Sequence, residues 1–143
     1  MTKANFRILL IVSFFLGYFG AFYDFIFANE LLEKINIYSE QITPAWSDEK
    51  NLLIGGFYII LMLVDFGVFV GLFFFYNFAR ILYIPILVVG YIASLFLGVL
   101  SVTSISLVLC SIATLLAGIV LYALFTEPVK SYFTKRAEET SSD

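Results

Sequence analysis

Four long apolar stretches, at about residues 6–27, 52–76, 81–100 and 105–125, constrain this chain more than any other feature. A hydrocarbon layer about 30 Å thick is crossed by about 20 residues of helix, so each stretch matches one passage through a bilayer. One such segment can be hidden inside a soluble helical core, but four cannot. The chain is 62% apolar and only 13% charged, against about 45–50% and about 25% in soluble domains. Within lipid every backbone polar group needs an internal partner, which makes each apolar stretch an expected helix. The expected fold class is therefore all-α: a polytopic membrane protein whose residues 1–143 form one domain, a four-transmembrane-helix bundle with a short amphipathic helix in the first extramembrane loop.

The first stretch is opened by Lys3 and Arg7. A positive start followed by an apolar run also describes a signal peptide, but this run exceeds the usual core of about 7–15 residues and is expected to be a retained anchor. The loop 28–51 carries Glu30, Glu33, Glu40, Asp48 and Glu49 against Lys34 and Lys50. Within it Leu31, Leu32, Ile35 and Tyr38 fall at helical spacing, which predicts a helix within about 29–40 lying on the membrane surface or over the bundle. Thr43-Pro44 reads as a helix start, and Ser47, Asp48 and Glu49 place a capping hydroxyl and negative charge before the second span. Trp46 and, in the turn 77–80, Arg80 read as interfacial anchors. A polar link, 101–104, precedes the fourth span. Glu127-Pro128 ends that span, and the tail 128–143 is largely polar.

Orientation follows from Lys and Arg alone. Lys3, Arg7, Arg80, Lys130, Lys135 and Arg136 lie on one side and Lys34 and Lys50 on the other, six against two of the chain's eight. Positive residues favour the cytoplasmic side, so both termini are expected there, in a bacterial inner (plasma) membrane, with the acidic loop outside.

Composition also removes chemistry. With no His and the single Cys110, the chain cannot build an internal disulfide, a Cys/His zinc site or a His-dependent nucleophile. No catalytic group, cofactor or metal site is expected. The absence of a basic run argues against nucleic acid. Cys110 itself reads as a small packing residue.

Inside a bilayer, burial from water no longer drives helices together, so close packing through small residues must contribute. Gly17 and Ala21, Gly67 and Gly71, and Gly90, Ser94 and Gly98 are spaced four apart, while Ser106, Ser111, Ala113, Thr114, Ala117 and Gly118 enrich the fourth span. Pro85 should bend span three or sit in its first turn. Phe73, Phe74 and Phe75 are consecutive, so they point in different directions. Tyr76 and Tyr83 are expected near the inner interface, whereas Tyr58 and Tyr91 lie deeper and need hydrogen-bond partners.

Asp65 stands at the centre of the second span, flanked by Met62, Leu63, Val64 and Phe66. A carboxylate at that depth costs about 2.5–3.5 kcal/mol on insertion scales. It is expected to face the bundle interior, protonated at neutral pH, within reach of a hydroxyl from span three or four or of a buried water. Tyr91 and Ser94 are the depth-matched candidates. Asp24, near the outer end of span one, is expected to reach water or headgroups.

These features point to a non-enzymatic membrane interaction or accessory subunit that docks onto another membrane protein or onto copies of itself. The alternatives are a small proton- or cation-coupled transporter or channel built around Asp65, and a membrane immunity protein against a pore-forming toxin, which the chain resembles in size and topology. Small multidrug transporters also combine four short spans with a membrane acid. Their acid lies in the first span and their loops are very short, unlike Asp65 in span two and the loop 28–51 here.

Overall fold

The structure, a computed structural model, describes residues 1–27, 30, 33–34, 37, 48–94 and 102–134, with the side chains of 48–51 and 94 outside that description. The described residues are helical, with no strand among them: α1 (Lys3–Ile26), α2 (Asp48–Phe73), α3 (Asn77–Ser94) and α4 (Ser104–Phe125). Three segments, Lys3–Ile26, Leu52–Phe73 and Ser104–Phe125, are long and apolar enough to cross a membrane, and Asn77–Ala93 is a shorter apolar helix. Helices of that length and composition mark an integral membrane protein.

Local chemistry accounts for the helix ends. Thr2 caps α1, its hydroxyl accepting from the Asn5 amide at 3.2 Å. Thr103 caps α4 in the same way through the Ser106 amide. At the end of α2 the Tyr76 amide reaches back to the Gly71 carbonyl and the Phe75 amide to that of Leu72. This pair of bonds is a Schellman closure. It requires Phe75 at φ 61°, in the left-handed region that favours glycine. The turn therefore falls at 74–76, inside the expected second span, and α3 already begins at Asn77. Pro85 is inside α3 rather than in its first turn, so the Ile81 carbonyl has no amide donor four residues on.

Consecutive helices run antiparallel and α4 returns to α1, giving the cyclic order α1, α2, α3, α4. Packing within the ring is uneven. The pairs α1/α4 and α2/α3 are in contact along their lengths, whereas α1/α2 and α3/α4 touch sparsely. What joins the two pairs is a cluster, the inner cluster, at the end that holds Lys3 and the α2/α3 turn, where Phe6 and Leu10, Val68 and Leu72, Phe75 and Tyr83, and Val120 and Leu124 are buried together. Val129 and Phe133, from a helical stretch over 129–134, close that end from below. Three rings form its centre: Phe75 lies 5.7 Å from Phe6 and 5.3 Å from Phe133.

Small residues act within the pairs. A Cβ at Gly20 would meet Cys110 and Leu109 at 3.0 Å, and one at Gly71 would meet the Ala79 Cβ at 2.6 Å. These close approaches let the backbones of α1 and α4, and of α2 and α3, come together. Gly67, Gly90 and Gly118, by contrast, face open space. Among these glycines close packing is therefore confined to the faces where helices pair.

The expected surface helix over about 29–40 falls largely outside the described residues. Glu30, Glu33, Lys34 and Ile37 are described and are helical and exposed; Leu31, Leu32, Ile35, Tyr38 and Trp46 lie outside.

Candidate functional site

Above the inner cluster the two helix pairs leave space between them, and Asp65 is on its wall. Its carboxylate Oδ2 accepts a hydrogen bond from the Tyr18 hydroxyl of α1 at 2.9 Å. The carboxyl thus points into the protein, as a desolvated acid requires. This donor comes from α1, whereas the sequence pointed to a hydroxyl of the third or fourth span. The reason is azimuthal: α1 and α2 are neighbours in the ring, and Tyr18 projects along their shared face, on which Phe14 also stacks with Phe69 at 4.2 Å.

Asp65, Tyr18 and Leu87 border two cavities. The first, about 270 Å³, extends toward the inner cluster past Leu10, Ser13, Leu72 and Tyr83. The second, about 410 Å³, lies between α2 and α3, beside Tyr58, Met62, Ile86 and Tyr91. Both have mainly apolar walls, and among the described residues neither is lined by Lys or Arg.

The other candidates separate. Tyr91 borders the second cavity beside Asp65 and is 54% exposed. Ser94 is the last residue of α3, and its side chain lies outside the described residues. Tyr58 donates to the Ala93 carbonyl, which ties α2 to α3. Tyr83 is in the core rather than at the interface, 8% exposed, with its hydroxyl 3.5 Å from the Ala117 carbonyl.

Comparison of the chain with protein families, with curated proteins and with solved structures gives no match.

Asp24 does not act as a free surface acid. Its carboxylate accepts from both the Thr103 amide, at 2.9 Å, and the Thr103 hydroxyl. Ser106 in turn donates to the Gly20 carbonyl at 2.7 Å. Asp24 therefore fastens the outer end of α1 to the start of α4, where amides need acceptors and a negative charge is favoured. Neither Tyr18 nor Thr103 was singled out from the sequence. A signal for the second was present: Ser13, Gly17, Gly20 and Asp24 share one face of α1, and Thr103, Ser106, Cys110 and Ala113 repeat at spacings of three and four.

Cations gather around the aromatic cluster that joins the pairs. Lys3 is 5.2 Å from the Tyr132 ring centre, and Arg7 is 4.8 Å from that of Phe73 and donates to the Phe73 carbonyl. Arg80, expected as an interfacial anchor, is partly covered: its guanidinium lies 5.6 Å from the Phe125 ring centre, and its Nε is buried without a hydrogen-bond partner among the described residues. Among the described residues no three His, Cys, Asp or Glu side chains come together as a metal site.

Proposed function

We propose that this protein is a non-enzymatic four-span membrane subunit that docks laterally onto another membrane protein, with both termini in the cytoplasm of a bacterial cell. The observation that carries this reading is the outward face of α4. Leu107, Ser111, Thr114, Gly118 and Tyr122 share that face at helical spacing and are exposed, Tyr122 at 72%. The hydroxyls of Ser111 and Thr114 bond back to the carbonyls of Leu107 and Cys110. The face thus presents satisfied hydroxyls and an open glycine, a surface on which another helix packs closely. Lys3, Arg7 and Arg80 standing together around the inner aromatic rings support the cytoplasmic assignment of that end.

A photocrosslinking residue placed at Thr114 or Tyr122 in native membranes tests the proposal, with outward-facing Ile8 of α1 as control. A discrete protein adduct at the α4 positions and none at Ile8 is the expected result. Lipid adducts alone at all three sites overturn it. Adduct mass separates a second copy from a different protein.

A second reading, a small proton- or cation-coupled transporter or channel, is supported by Asp65 bordering two cavities. Ion movement by the purified chain in liposomes distinguishes it from docking.

A further inference from the structure

We infer that the cavity pair around Asp65 is a binding site for a lipophilic organic cation, a quaternary ammonium or phosphonium or a protonated amine bearing aromatic or alkyl groups. This names a ligand class for the second reading, and it holds or fails on binding alone, whether or not anything is transported.

Size, wall chemistry and charge each narrow the ligand. At about 410 Å³ the larger cavity falls within the range of small-molecule sites, about 300–1,000 Å³. Its walls are Leu61, Met62, Ile86 and Leu87, with the rings of Tyr18, Tyr58 and Tyr91 around the acid. Aliphatic walls favour an apolar body, and tyrosine faces favour a cation. Among the described residues Asp65 is the only acid on either cavity, and no described Lys or Arg borders them. A cationic ligand would supply the counter-charge that the lining does not.

A hydrated inorganic ion fits poorly. Calcium takes about 6–8 oxygen ligands and magnesium demands near-octahedral geometry, whereas this lining offers one carboxylate and scattered tyrosine hydroxyls. An organic cation spreads its charge, holds water weakly and needs no such shell. The Tyr18 bond uses one of about four acceptor sites on the carboxylate, so the group is oriented without being exhausted.

Protons compete for the same carboxylate. The titratable groups facing it are Tyr18 from α1 and Tyr83 and Tyr91 from α3, with Tyr58 on its own helix; α4 contributes Ala117. Protonation of Asp65 removes the negative charge that a cation would meet, so binding weakens as pH falls.

Equilibrium dialysis of tetraphenylphosphonium against the full chain in phosphatidylcholine nanodiscs, with empty discs subtracted, tests the site. Tetraphenylborate, of closely similar shape and opposite charge, is the control. Expected results are one saturable phosphonium site per chain, weakening as pH is lowered, at least about tenfold weaker binding in Asp65→Asn, retention in Asp65→Glu, and no saturable borate binding. Should Asp65→Asn fail to fold, the wild-type chain provides an independent measurement: dicyclohexylcarbodiimide modification of Asp65 should be slowed by phosphonium and not by borate. Undiminished phosphonium binding by folded Asp65→Asn, equal binding of both ions, or unprotected modification overturns the inference.

Discussion

Asp24 and Asp65 are both acids in apolar helices, yet they do different work because their surroundings differ. Asp24 meets the amide and hydroxyl of a helix-capping threonine, so its role is to hold α1 against α4. Asp24→Ala removes both acceptors offered to Thr103 and is expected to lower the midpoint of reversible denaturation from mixed micelles. Asp24→Asn, whose amide oxygen still accepts from Thr103, should recover most of that loss. Equal losses in both variants would mean that the charge matters and the bonds do not. Phe75 shows the converse, a residue whose packing overrides its backbone preference. Its ring, 4% exposed among Phe6, Tyr132 and Phe133, occupies a left-handed position where glycine would be more comfortable.

The helix pairs are set by contacts at particular glycines. Gly71 and Gly67 lie one turn apart on α2, but only Gly71 is pressed against α3, where an added methyl would come within 2.6 Å of the Ala79 Cβ. Neither Cβ can rotate away, so the helices must separate. Gly71→Ala is expected to cost about 1–3 kcal/mol as an overpacking substitution. Gly67→Ala, which enters open space, should be neutral or stabilising by up to about 1 kcal/mol through helix propensity. Thermal unfolding of the two variants in the same detergent makes the comparison. Equal melting temperatures would contradict the close α2/α3 approach.

At the scale of the whole molecule, two tightly packed helix pairs are joined mainly at one end. The aromatic cluster of Phe6, Phe75 and Phe133 and the cations Lys3, Arg7 and Arg80 coincide there. The opposite end is fastened within the pairs, by Asp24 with Thr103 and by Tyr58 with Ala93. The space around Asp65 follows from this arrangement. The proposed topology, four spans with the cationic end in the cytoplasm, predicts that impermeant maleimide added to intact cells labels a single cysteine at Ser39 and spares one at Ser142, in a Cys110→Ser background. The opposite pattern would invert the topology.

Segment length and hydropathy by themselves made this an all-helical membrane protein, because the bilayer demands about 20 apolar residues per crossing and satisfied backbone groups in each. They also located Asp65 in mid-span and required it to turn inward. They did not determine which way each helix faces. In lipid, outward and inward residues are equally apolar, so α2 carries almost no hydrophobic asymmetry to orient it. Tertiary packing decided that azimuth through contacts no local pattern encodes: Gly20 against Cys110, Gly71 against Ala79, and the inner aromatic cluster. Those contacts brought Tyr18 of α1 to the acid, bound Asp24 to a helix start, and left the glycine and hydroxyl face of α4 pointing outward.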